Sequence, residues 1–107
     1  MNSQERAEMI KENRNLLLSN LRAVWPSTLA GEPLYRVMLG SFPDYERMSC
    51  FKDLHYLEAK GYVERIDPRN GRVATYQVVK WDAARWRLTT HGTEIADKLE
   101  TDPALEV

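Results

Sequence analysis

The chain of 107 residues has a single cysteine, Cys50, so an internal disulfide is excluded and a cysteine-built zinc site has no second thiolate. This cysteine usage points to a reducing compartment, and the cytoplasm is the expected location. Its two histidines, His55 and His91, lack further ligands at metal spacing, so no metal is expected. The longest purely apolar run near the N-terminus is Leu16-Leu17-Leu18, far short of the roughly 20 residues that cross a bilayer. Acidic residues interrupt what precedes it, and neither a secretory signal nor a membrane span is expected. Also missing are a phosphate-cradling glycine loop, a nucleophile elbow and a recognisable pair of cleft carboxylates. The chain therefore reads as non-catalytic and without a cofactor.

What is present is ordinary for a folded domain, with 43% hydrophobic and 29% charged residues. The length allows one core, so residues 1–107 are expected to form a single domain with a frayed acidic tail from about residue 101. Net charge is −1, which argues against an indiscriminate nucleic-acid binder. The charges are nevertheless uneven. Residues 62–87 hold six cations (Arg65, Arg69, Arg72, Lys80, Arg85, Arg87) against Glu64, Asp67 and Asp82, whereas residues 88–107 are strongly acidic.

Asn2, with Glu5 three residues on, reads as a capping box for a first helix over residues 3–24, with Ile10, Leu17, Leu21 and Val24 on one side. Pro26 should end it. A second helix is expected from Glu32-Pro33, with Leu34, Val37 and Met38 buried and Gly40 as a left-handed stop. Asp44 reads as the cap of a third helix, Tyr45–Lys60, closing at Gly61. With Leu54 at the centre of its inner face, Arg47, Cys50, Phe51, Leu57 and Glu58 fall inward, and Tyr45, Ser49, Lys52 and Tyr56 outward.

The period then becomes extended. Residues 62–66 and 73–80 flank Asp67-Pro68-Arg69-Asn70-Gly71, whose Asn-Gly is a hairpin signal. Residues 82–84 allow a second turn before Arg85-Trp86-Arg87-Leu88. Thr89 or Thr90 then caps a last helix carrying Ile95, Ala96 and Leu99. The fold class is α+β: three helices, a hairpin or three-stranded meander, and a C-terminal helix.

Two stretches carry a resemblance. Phe51-Lys-Asp-Leu-His-Tyr-Leu-Glu-Ala-Lys-Gly-Tyr-Val-Glu-Arg65 is similar to a recognition helix running into the first wing strand of the winged helix-turn-helix superfamily of bacterial and phage regulators. Arg87-Leu-Thr-Thr-His-Gly-Thr-Glu-Ile-Ala96 resembles the strand-to-helix step after the wing. A fainter similarity is to small winged-helix proteins of Mu-like bacteriophages. The resemblance implies a DNA-binding regulator or phage accessory factor, with the third helix in the major groove and the wing on flanking backbone or minor groove. Ser49, Lys52 and Tyr56 are then the candidate donors on the helix, and Arg69 and Arg72 the cations of the wing tip. It also implies double-stranded DNA as partner and dimerisation through terminal helices.

The alternative is a winged-helix module for protein contact. Glu46 and Asp53 would set negative charge near a phosphate-facing surface, and Tyr45, Met48 and Tyr56 suit a protein partner. Cys50, on the inner arc, is expected to be a buried, inert thiol. Trp25, Trp81 and Trp86 are expected to pack in the core or under the wing.

Overall fold

The Asn2 side chain accepts the Glu5 amide at 2.8 Å, satisfying one of the orphan donors that open a helix. Helix α1 then runs Ser3–Val24 and yields at Trp25, before Pro26. The computed structural model describes residues 2–105. Its elements continue with β1 (Leu29–Ala30), α2 (Gly31–Ser41), α3 (Arg47–Ala59), β2 (Val63–Asp67), β3 (Arg72–Val73), β4 (Arg85–Leu88) and α4 (Thr90–Ala96). The architecture is mixed α+β, with an antiparallel sheet ordered β1-β4-β2-β3. Strand β1 has no expectation behind it: two half-buried residues pair Leu29 with Trp86 and Ala30 with Arg85.

One core joins all these layers. Leu17, Leu18 and Leu21 from α1 meet Leu34 and Met38 from α2, and Cys50, Leu54 and Leu57 from α3. Val63, Trp86, Leu88 and Ile95 close it from the sheet side and α4. Glycine is needed at both ends of the step between α3 and α4. Gly61 has φ +78 and ends the α3 turn, its amide on the Glu58 carbonyl and that of Tyr62 on Leu57, a left-handed helix stop. At Gly92 a Cβ would run into the Tyr62 carbonyl, so α4 starts hard against the entry to β2.

Several expectations fail for physical reasons. Gly40 is no stop, because α2 continues through Ser41, and Val37 is half exposed. Ile10 is not in the core: it is exposed beside Ser49, Lys52 and Asp53 of α3. Residues 44–46 do not join α3: Tyr45 is drawn into the core, at 7% exposure, and the cap position falls to Glu46. The stretch 73–80 is not a long strand. After Val73 it folds back, with the Thr75 carbonyl accepting the amides of Val78 and Val79. Leu99 is exposed past the end of α4.

Nor is the tail frayed through residue 105. Tyr62 donates its hydroxyl to Asp102 at 2.6 Å, Lys60 lies 3.7 Å from the same carboxylate, and Leu105 is buried. The Tyr62 bond holds the Asp102 carboxyl below the usual range, against the effect of burial.

Candidate nucleic-acid interface

Helix α3 is rotated from its expected phase. Its buried residues are Cys50, Asp53, Leu54 and Leu57, whose centre lies roughly 50° from Leu54 at 100° per residue. The outward stripe is therefore Met48, Lys52, His55 and Ala59, all exposed. Of the expected outward residues, Lys52 faces solvent, whereas Ser49 and Tyr56 are half-buried on the side toward α1. There the Arg14 guanidinium stacks 3.7 Å from the centre of the Tyr56 ring. Tyr56 is thus not free to read bases.

Asp53 is the second surprise. Instead of lying near a phosphate-facing surface, it is 4% exposed, accepts the Tyr45 hydroxyl at 2.8 Å and pairs with Arg14 at 3.3 Å. Burial raises its pKa, while Tyr45 and Arg14 pull it back. Beside it, burial pushes the Cys50 thiol up to about 12, so the thiol is neutral and inert as expected.

Three of the six cations of the basic segment, Arg65, Arg69 and Arg87, are paired with carboxylates. Arg65, 1% exposed, lies over the Trp86 ring at 4.8 Å, grips Glu58 with two nitrogens at 3.1 Å and donates to the Val79 carbonyl at 2.8 Å. Arg87 holds Glu64 across the β2–β4 ladder. Arg85 bonds Thr28. At the hairpin tip Arg69 folds back on Asp67 at 2.8 Å, and this contact holds the Asp67 carboxyl below its ordinary range. Arg69 therefore ties its own loop. Lys52 on α3, Arg72 on β3 and Lys80 behind the hairpin are exposed and form no ion pair among the described residues, and exposed Arg85 has only the neutral Thr28 as partner.

Residues 74–82 lie along α3. The Ala74 amide bonds the Arg65 carbonyl, Arg65 bonds Val79, and the Tyr76 ring stands edge-on to His55 with centroids 6.3 Å apart. Between them runs an open groove of about 410 Å³ lined by Arg47, Met48, Phe51, Tyr76, Lys80 and Trp81, with Arg65 and Asp82 at its base. Arg47 is itself neutralised by Glu32 and Asp82. Neither Phe51 nor Tyr76 stood among the expected site residues. The Phe51-x-x-x-His55 spacing could have drawn attention to one, but Tyr76 was hidden in a presumed strand.

Among the described residues no cluster of three His, Cys, Asp or Glu side chains is placed to hold a metal, and no helix is long and apolar enough to cross a membrane. No family model matches the chain, and no curated protein or solved structure is significantly similar to it.

Proposed function

We propose that this chain is a winged-helix protein that binds double-stranded DNA without catalysis, as a small transcription regulator or phage accessory factor. The order helix, short strand, two helices, hairpin, strand supports the reading, because β1 adds to β4 just ahead of α2 and makes α3 the helix that precedes the wing. The observation that carries it is the position of the unpaired cations: Lys52 is on the outward stripe of α3, Arg72 on β3 and Lys80 on the segment folded against α3. Phosphates are met by such charges, and internally paired ones are not available to them.

Three cations set the scale of the affinity. Releasing about 0.9 counterion for each phosphate neutralised gives a log–log salt slope near −3, so binding is modest for one copy. A two-fold dimer belongs to the same reading: Met9 and Ile10 are exposed on the N-terminal part of α1, and a second copy would both cover them and double the phosphate contacts. A mobility-shift titration on genomic fragments, repeated from low to physiological salt, tests this. A slope near −3, or near twice that for a dimer, is the expected result, and no shift at low salt would remove the reading.

A second reading has its own observation. Met48, Tyr76 and Val78 are each more than half exposed, and an apolar surface beside neutralised arginines suits a protein partner. Such a complex would respond weakly to salt.

A further inference from the structure

The outward stripe of α3 is poorly equipped to read base edges in a groove. That readout relies on Arg, Asn, Gln or similar donors held in a bidentate pose, and the stripe offers Met48, Lys52, His55 and Ala59. What lies next to it is aromatic. Phe51 and His55 have ring centroids 6.1 Å apart, and His55 and Tyr76 continue the series at 6.3 Å. Tyr76 is 59% exposed although the chain on either side of it is fixed to Arg65 through Ala74 and Val79. A rigidly presented, solvent-facing ring is a stacking surface ready-made.

We infer that the groove between α3 and residues 74–82 takes an unpaired nucleobase of a single-stranded segment, stacked on Tyr76 with Phe51 beside it, and with a flanking phosphate on Lys80. The volume, about 410 Å³, lies in the range of ligand sites, roughly 300–1,000 Å³. The polar groups of the groove narrow the choice of ligand. The Trp81 carbonyl is taken by the Trp86 indole, the Val79 carbonyl by Arg65, and the Arg65 and Arg47 charges by Glu58, Glu32 and Asp82. A peptide strand would find few backbone partners here. A flat ring linked to an anion finds a π-face and the unpaired ammonium group of Lys80, the combination used to hold single strands.

This inference rests on the nucleic-acid reading of α3 and changes its preferred form from a duplex read in the groove to a single strand held by base stacking. Fluorescence anisotropy of the full chain against a labelled 12-nucleotide oligo-dT and a 12-base-pair duplex, both at 50 mM salt, tests it. The single strand should bind more tightly than the duplex. Tyr76→Ala should weaken it about fivefold or more, the loss of one stacked base, and Tyr76→Phe should restore it, with unchanged melting curves for both variants. A duplex bound more tightly, and equally well by Tyr76→Ala, would overturn the inference and leave the nucleic-acid reading standing. Failure of both forms to bind would overturn both. Complete displacement of oligo-dT by equimolar thymidine monophosphate would assign the groove to free nucleotides and overturn the strand as its ligand.

Discussion

The two flanks of α3 start from similar side chains and use them in opposite ways. On the α1 side a carboxylate, a phenol and a guanidinium close on one another: Asp53, Tyr45 and Arg14 form a buried chain, with Tyr56 stacked under the same Arg14. On the side of residues 74–82 the rings of Phe51, His55 and Tyr76 and the ammonium group of Lys80 stay open around a groove. The neighbouring element makes the difference. Helix α1 has its backbone groups satisfied within itself, so its side chains are free to reach across. Residues 74–82 are tied to Arg65 through Ala74 and Val79, and while Val79 and Trp81 pack on the core, Thr75–Val78 and Lys80 are left exposed. Burial and satisfaction close the first flank; exposure and an unpaired charge leave the second open to solvent.

Deleting what both flanks share should have the largest effect. Leu54 is fully buried on the helix's inner face, and Leu54→Ala should cost about 2–5 kcal/mol in a denaturant titration; a loss below 1 kcal/mol would mean that the helix is rotated yet again.

Next comes the closed flank. Arg14→Ala leaves Asp53 buried with only the Tyr45 bond and should cost about 1–3 kcal/mol at neutral pH. The sign of its pH dependence follows from Asp53. An acid whose folded pKa is raised above its unfolded value binds more protons when folded, so stability falls as pH rises from the unfolded pKa through the folded one. Removing Arg14 raises that folded pKa further. The variant should therefore sit closest to wild type in acid and diverge from it as pH climbs to neutrality, as thermal melts across that window would show. A constant gap would mean that Arg14 works by packing on Tyr56 rather than by charge.

The hairpin provides a smaller and sharper contrast. Arg69→Glu breaks the clamp on Asp67 and should lower the melting temperature, most visibly above the unfolded pKa of Asp67, where its depressed folded pKa makes the ionised form stabilising. Arg72→Glu touches no partner carboxylate and should leave melting unchanged while making the salt slope of DNA binding shallower by about one phosphate contact. Equal melting losses from the two would erase the distinction between a structural and a free cation. The smallest stability effect should come from Lys80→Glu, silent in melting yet again about one contact in the salt slope. An unchanged slope would take the open flank out of the nucleic-acid surface.

Local grammar was legible in the sequence. The Asn2 cap, the end of α1 before Pro26, the Gly61 stop and the burial of Leu54 and Leu57 follow from rules spanning a few residues, and each holds. The phase of α3 was not legible, because hydropathy alone centres the helix on its leucines. The residue that turns it is Asp53, whose burial depends on Arg14, 39 positions away. Strand β1 was invisible for the same reason: two residues become a strand only when β4 passes beside them. The cations were half legible. Arg65 shares the parity of Val63 in β2 and so faces inward, and Arg69 lies two residues from Asp67, a spacing at which a turn carboxylate is often met. Counting charges without pairing them made the segment look more basic than its surface is.

The turn that buries Leu105 also sets a timetable for folding. Asn15 reaches the Leu105 carbonyl across 90 positions, and Asp102 answers Tyr62 from 40 away. Synthesis delivers α1 well before this turn, so the middle of α1 waits with one side unsealed until residue 105 is made. During translation, the nascent N-terminal half should therefore stay open to proteases and chaperones, and protection of the Asn15 region in a ribosome-stalled series should appear only once residue 105 has emerged.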